Sequence, residues 1–226
     1  MEISVETGDS QLLRFCFENG FSPTKLDSMQ LTYCRVRSNP SPAWLDVLFD
    51  FDFRQWRTNP RQLSYYQTWN DVLRMGPDCA CWWIEHGGHT RDCRGLFEAP
   101  QEEPWPGAAT FRVLLDNFGI DWFRDSGTLQ LAVKNHDLET VKMLLEAGAD
   151  VNEDVADWNT DIREHRGAPL PALKEAIYAK SDVMIRYLAE HGAKLQRSCI
   201  EDPYNTMPEE FRPFRSLVVE LGGVNE

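Results

Sequence analysis

The stretch from Gly127 to Glu153, GTLQLAVKNHDLETVKMLLEAGADVNE, carries the clearest structural pattern in the sequence. Its apolar residues form a short run from Leu129 to Val133 and then recur at helical spacing around Leu144. Asp137 stands between these two runs, where a carboxylate accepts hydrogen bonds from the free amides of a helix start. Gly148 follows the second run and can take the positive φ that commonly ends a helix. The stretch therefore predicts two short helices joined by a turn.

The second of these helices is expected to bury one stripe and to leave its other face in water. The predicted buried residues are Val141, Leu144 and Leu145, and the predicted exposed residues are Glu139, Lys142 and Glu146. Two helices of this length cannot close a core alone, so the unit needs similar neighbours stacked against it. The order of small, apolar and glycine positions resembles an ankyrin repeat. The resemblance implies an all-α solenoid.

Related but less regular units surround this stretch. The clearest repeats are predicted over residues 1–22, 127–153 and 167–195. Gly148 and Gly192 lie 44 positions apart, which exceeds the ankyrin period of about 33 residues and predicts an enlarged loop. Irregular insertions are expected over 52–64, 89–107, 153–168 and 196–210. Second helices are predicted to end near Gly20, Phe51, Gly87, Gly119, Gly148, Gly192 and Gly222. We therefore expect one ankyrin-repeat domain over 1–226, with about six degenerate helix-turn-helix repeats and a C-terminal capping helix.

Composition restricts the classes of partner. The formal net charge of −13 disfavours nucleic acid and anionic membranes, because both are bound through clustered Lys and Arg. The chain has no apolar run of about 18 residues or more and no basic start followed by an apolar segment. The sequence therefore predicts a soluble, cytoplasmic protein, which we expect to be a monomer.

The cysteine and histidine residues do not predict a metal site or a cofactor. A superficially suitable set of zinc ligands is Cys79, Cys81, His86, His89 and Cys93. On one helix, however, Cys79 and Cys81 point about 200° apart, since each residue turns the helix by about 100°. His86 also occupies the place of His191 in the later EHG sequence, next to the glycine that ends the helix. A structural role is therefore expected for it.

The common signatures of catalysis are missing from the sequence. It has no phosphate-binding glycine loop, nucleophile elbow or H-E-x-x-H metal helix. The predicted loop at 153–168 is acidic and contains His165, the one residue there whose usual pKa suits proton transfer near neutral pH. An acidic solvated loop is the preferred interpretation of this segment. His165 and Tyr66 remain the two catalytic candidates.

Aromatic residues are the main departure from an ordinary ankyrin chain. The chain has eight Trp, twelve Phe and six Tyr residues. Four tryptophans, Trp56, Trp105, Trp122 and Trp158, fall in connections between predicted helices, and Tyr65 and Tyr66 begin another unit. In the ankyrin family such connections form fingers on the concave binding side. The six residues are therefore the predicted partner- or substrate-binding residues, with packing of irregular joints as the alternative, preferred for Trp105 and Trp158. The remaining tryptophans, Trp44, Trp69, Trp82 and Trp83, are predicted to lie in the core.

The resemblance leaves two functions open. Ankyrin repeats imply a non-enzymatic module that binds a protein partner through its concave finger and helix face. The T-P-L-H turn of regular ankyrin units is replaced here by GTLQ, PALK and MQLT, and the looser pattern resembles divergent ankyrin chains of filamentous fungi. That resemblance implies the alternative, a cofactor-free isomerase or cyclase that folds a small apolar molecule in an aromatic-lined pocket.

Overall fold

The computed structural model describes residues 9–21, 41–51, 69, 72–87, 105–153, 170–196 and 209–225. The chain groups into two compact units, Met1–Asn117 and Phe118–Glu226. Within the described residues the chain is helical, apart from one pairing of two-residue strands. Among these residues no helix is long and apolar enough to cross a membrane.

Three helices of nine residues lie in the described part of the first unit. Helix α1 spans Ser10–Glu18, α2 spans Pro42–Asp50 and α3 spans Pro77–Glu85. Proline in the first turn of α2 and α3 suits a helix start, because the amide it lacks would have no partner within the helix. Helix α2 packs against both α1 and α3. Helix α4 follows over Ala108–Phe118.

The start and buried face of α1 agree with the predicted repeat. The Asp9 carboxylate accepts hydrogen bonds from the amides of Gln11 and Leu12, at 2.9 and 3.0 Å. The predicted stripe of Leu13, Cys16 and Phe17 is buried. The prediction that four tryptophans lie in the core is also confirmed, because Trp44, Trp69, Trp82 and Trp83 are each at most 7% exposed.

In its described residues the second unit has two helix pairs and a later helix. A 3₁₀ helix over Ile120–Phe123 precedes the first pair, and another over Glu209–Phe211 leads into the later helix. The α-helices are α5 (Thr128–Lys134), α6 (Leu138–Glu146), α7 (Ala172–Tyr178), α8 (Asp182–Glu190) and α9 (Arg212–Glu220). Helix α5 packs against α6 and α7, and α8 packs against α7 and α9. This arrangement stacks one helix pair on the next, as the repeat pattern predicts.

The stretch that predicts the fold has the expected local structure. Asp137 caps α6 by accepting from the Thr140 amide at 3.0 Å. Gly148 follows α6 with φ of +99°, a conformation that a residue with a Cβ rarely adopts. Glu139, Lys142 and Glu146 are exposed, as predicted.

The predicted buried stripe of α6 is wrong at one position. Val141 and Leu144 are buried, but Leu145 is only half-buried and Met143 is 3% exposed. The buried stripe is therefore rotated toward Met143 and away from Leu145, a choice that helical spacing alone does not make.

The segments after successive helix pairs are joined by hydrogen bonds. The Asn152 side chain donates from Nδ2 to the carbonyl of Gly192 at 3.0 Å and accepts from the Lys194 amide at Oδ1 at 2.7 Å. Further along, the Leu195 amide donates to the carbonyl of Gly223 at 2.7 Å. Strands β1 (Leu195–Gln196) and β2 (Val224–Asn225) pair in parallel, a pairing that the sequence pattern does not predict.

The predicted ends of the second helices are also confirmed. Helices α1, α3, α4, α6, α8 and α9 are each followed within two residues by a glycine with positive φ, and Phe51 is the C-cap residue of α2. The glycines are Gly20, Gly87, Gly119, Gly148, Gly192 and Gly222. A count of six repeats in one continuous domain stays a prediction.

Candidate binding surface on the connecting segments

Two of the predicted binding residues lie in described parts of the chain. They are Trp105, in the first unit, and Trp122, in the second. The other predicted site residues, Trp56, Tyr65, Tyr66, Trp158 and His165, lie outside the described residues.

Trp105 packs at the start of α4. Its ring lies 4.9 Å from the ring of Phe111, centroid to centroid, at an angle of 39°. Phe111 is completely buried, whereas Trp105 is half-buried. The indole therefore covers a core residue of its own unit with one part and reaches solvent with another.

Trp122 has a similar position on the 3₁₀ helix Ile120–Phe123. Its ring stacks on Phe118 at 5.4 Å and meets the edge of Phe123 at 5.1 Å and 82°. Phe123 is 4% exposed, and Trp122 itself is half-buried. Aromatic packing thus fixes the orientation of Trp122 while part of the ring stays accessible.

A cleft lies next to this 3₁₀ helix within the second unit. One side is formed by residues 120, 121, 123 and 124, before α5, and the other by residues 148–150 and 153, after α6. Phe123, Leu129 and Leu144 contribute its apolar part. The volume of about 100 Å³ is small enough to suit a single side chain of a bound partner rather than a whole small molecule.

Acidic groups dominate the charged lining of the cleft. Asp121, Asp150 and Glu153 line it together with Arg124. Arg124 is paired with Asp121 at 2.7 Å, in a highly exposed ion pair that contributes little to stability. The other two carboxylates give the cleft a net negative charge.

Glu153 is the most constrained of these acids. Its Oε1 accepts from the Asp125 amide at 2.5 Å, and its backbone carbonyl accepts from the Gln130 side chain at 3.3 Å. Burial raises the pKa of the Glu153 carboxyl, and the nearby charges of Asp125 and Asp150 raise it further, against the lowering effect of the Asp125 amide.

One comparison with known proteins gives a match. The family model described as "Ankyrin repeat" matches residues 129–155. This stretch is an ankyrin repeat. No curated protein and no solved structure matches the chain. The ankyrin repeat comprises most of α5, the whole of α6 and the connection that carries Asn152 and Glu153.

Replacement of Glu153 by glutamine is expected to change how stability depends on pH. The folded protein holds the Glu153 proton more tightly than the unfolded chain does. The free energy of unfolding therefore falls as the pH rises from about 4.5 through the raised pKa. A glutamine at this position does not titrate, and its side-chain oxygen can still accept from the Asp125 amide. Urea unfolding at several pH values should show that the free energy of unfolding of Glu153→Gln increases relative to the wild type as the pH rises. Glu139→Gln, at an exposed position, should show no such increase. Parallel curves for Glu153→Gln and the wild type would contradict this account.

The two candidate zinc ligands on α3, Cys79 and Cys81, lie in different environments. Cys79 is buried and Cys81 is half-buried, so the helix directs the two thiols differently, as expected. Burial raises the pKa of Cys79 to about 12, with a further contribution from Asp78. In the described part of the chain, no three His, Cys, Asp or Glu residues are grouped to hold a metal ion. His89 and Cys93 lie outside that part.

The predicted equivalence of His86 and His191 is confirmed. Each residue caps its helix, and each Nδ1 lies 2.8 Å from the carbonyl of the residue four positions earlier, Trp82 or Tyr187. The ring of His86 also stacks on Trp82, with centroids 3.9 Å apart. Both histidines thus satisfy carbonyls at helix ends.

The sequence pattern alone does not identify Asn152, Asp150 and Glu153 as parts of the candidate binding surface. The signal is present in the letters GADVNE, because polar residues follow the glycine that ends α6. The proximity of Asp150 and Glu153 to Phe123 and the contact of Asn152 with Gly192 both depend on tertiary packing, which the local pattern does not encode.

Proposed function

We propose that this chain is a non-enzymatic recognition module. It binds a protein partner through the concave face formed by the segments that connect its helix pairs and by the first helix of each pair. Ankyrin repeats typically mediate protein interactions, and one such repeat is present. In this proposal the protein acts as a cytoplasmic monomer and binds neither nucleic acid nor membranes. The net charge of −13 supports this choice of partner.

The observation that carries the proposal is the Asn152 bridge. The side-chain amide of Asn152 joins the connection after α6 to the connection after α8 by hydrogen bonds to the backbone of Gly192 and Lys194. Such a bridge holds two neighbouring connections in one register before a partner arrives. A preorganised surface loses less conformational entropy on binding, which favours affinity.

Trp122 and the adjacent cleft are the proposed contact region in the second unit. The accessible part of Trp122 supplies apolar area with little flexibility, which is typical of an anchor residue in an interface. Asp150 and Glu153 favour a basic side chain of the partner in the cleft, with its aliphatic part against Phe123. Trp105 is the corresponding proposed anchor in the first unit.

The size of the cleft favours recognition over the cyclase alternative. An enclosed site for a small molecule usually has a volume of roughly 300–1,000 Å³, whereas this cleft has about 100 Å³. The alternative also depends on Trp56 and Tyr66, which lie outside the described residues. Its own test is whether lysates with and without the protein convert polyene or terpenoid precursors into different products.

Site-specific photo-crosslinking tests the recognition proposal. A photoreactive phenylalanine analogue is placed at Trp122 in one variant and at Val183 in a control. Val183 lies on α8 and is 64% exposed, so it is an accessible site outside the proposed contact region. We expect a defined protein adduct from position 122 and none of the same mass from position 183. Trp122→Ala should weaken binding of the purified partner at least about tenfold, as expected for an interface anchor. Equal crosslinking at both positions, or unchanged affinity of Trp122→Ala, would refute the proposal.

A further inference from the structure

A groove runs between α1 and α2 in the first unit. Ser10, Arg14 and Phe15 line it from α1, and Ala43 and Val47 line it from α2. Its volume is about 290 Å³, and it is open to solvent. This space is large enough for one or two large side chains of a partner.

Phe15 gives the groove an exposed aromatic surface. Its side chain is 60% exposed, whereas Phe17, two positions later on α1, is 5% exposed. Phe17 packs on Phe51 with ring centroids 5.2 Å apart, so Phe17, and not Phe15, contributes to the core of this unit. An exposed phenylalanine at the mouth of a groove contributes little to that core, but it offers apolar area to a partner.

The groove also has an acidic rim. Arg14 also lines the groove and carries a positive charge. It forms an ion pair at 2.5 Å with Asp50, which does not line the groove. Arg14 also interacts electrostatically with Glu18 and Asp46, two exposed carboxylates that line the groove. One positive charge thus faces three carboxylates, and the rim keeps a net negative charge.

Asp46 is held in place by the neighbouring helix. Its Oδ1 accepts a hydrogen bond from the Nε1 of Trp82 at 2.7 Å. Trp82 is 7% exposed and belongs to α3, so the exposed carboxylate is fixed to a buried ring. A fixed charge is a better partner for an incoming cation than one on a freely rotating side chain.

We propose that this groove binds an amphipathic helix of a partner protein, with one large apolar side chain against Phe15 and Val47 and Lys or Arg residues beside Glu18 and Asp46. A groove between two packed helices suits an additional helix, which is a recurring mode of peptide recognition. The negative rim selects a basic helix over an acidic one, because like charges across an interface are strongly unfavourable. The groove is formed by residues of the first unit, and this proposal does not depend on the proposed surface at Trp122.

Three synthetic helical peptides test the site against the full chain. Each has about 16 residues, roughly four helical turns, and a fluorescein label. The first has a Leu and Phe stripe flanked by Lys, the second has Glu in place of Lys, and the third keeps Lys but has Ser in the stripe. Fluorescence anisotropy should show binding of the first peptide, at least about tenfold weaker binding of the other two, and loss of affinity with rising salt.

Four variants assign the binding to the groove. Phe15→Ser should weaken binding of the basic apolar peptide at least about tenfold, whereas Val183→Ser, at a similarly exposed apolar position, should not change it. Glu18→Lys should weaken binding of the basic peptide and strengthen that of the acidic one, whereas Glu139→Lys on α6 should do neither.

Three results would overturn the proposal. The first is absence of binding of the basic apolar peptide to the wild-type chain at concentrations up to about 1 mM, which corresponds to a very weak complex. The second is an equal response of Phe15→Ser and Val183→Ser. The third is a dimer in sedimentation velocity that Phe15→Ser dissociates, because the occupant would then be a second copy of this chain. Failure of crosslinking at Trp122 has no bearing on any of these outcomes.

Discussion

Leu144→Ala is expected to lower the free energy of unfolding by about 2–5 kcal/mol, the usual cost of deleting a buried leucine and leaving a cavity. Leu144 lies in the last turn of α6 and is 1% exposed. Its side chain also lines the cleft beside Phe123. The loss should therefore combine reduced apolar burial with weaker support of the connecting segment. Urea unfolding followed by far-UV circular dichroism measures the change.

Leu145→Ala provides the matched control. The same atoms are removed one position along the same helix, but Leu145 is half-buried. Its cost should be roughly half that of Leu144→Ala or less, because less apolar area returns to water. Equal losses for both variants would mean that the buried stripe of α6 is assigned to the wrong side.

Trp44→Ala is expected to cost about 3–5 kcal/mol, the range for truncation of a buried aromatic residue. Trp44 lies in α2, is completely buried and is among the largest buried side chains of the described residues. Urea unfolding followed by circular dichroism compares the variant directly with the wild type, because this signal does not depend on the fluorescence of the deleted indole.

Trp44→Phe separates packing from hydrogen bonding at the same site. Within the described residues the buried Nε1 of Trp44 has no hydrogen-bond partner, and burying such a donor costs about 1–3 kcal/mol. Phenylalanine removes that donor but leaves a small cavity, so we expect a net change within about 1 kcal/mol. Trp82→Phe should cost more, because Trp82 loses its bond to Asp46. A loss for Trp44→Phe as large as that for Trp44→Ala would contradict this account.

Local signals in the sequence predict the helices well. Asp9 and Asp137 are recognisable as caps because their carboxylates have a specific role at a helix start. The glycines that end the second helices are recognisable because positive φ is rare for other residues. Both signals depend on a few neighbouring residues, so they survive even where the repeats are irregular.

Features that depend on tertiary packing are less predictable. In α6, Met143 is buried and Leu145 is only half-buried. The packing of α6 on its neighbours decides this, since both positions are compatible with helical spacing. The pairing of β1 with β2 involves residues almost thirty positions apart. The sequence also places Trp105 and Trp122 in connections, but it does not reveal that each packs on aromatic rings of its own unit.

We infer that Asn152 holds the connection after α6 in register with the connection after α8. Hydrogen exchange of the Lys194 amide measures this directly, because that amide donates to Asn152 Oδ1 at 2.7 Å. In Asn152→Ala we expect this amide to exchange roughly five- to tenfold faster, corresponding to loss of one hydrogen bond of about 1 kcal/mol.

Two references exclude a general loosening of the fold. The Ile185 amide, which bonds to the Ser181 carbonyl at the start of α8, should keep its rate in Asn152→Ala. Asn135→Ala, which removes a side chain bonded to Leu131 at 2.8 Å, should leave the Lys194 amide unchanged. Faster exchange confined to Lys194 and its neighbours in Asn152→Ala is the predicted result. Identical exchange of the Lys194 amide in Asn152→Ala and the wild type would contradict the account.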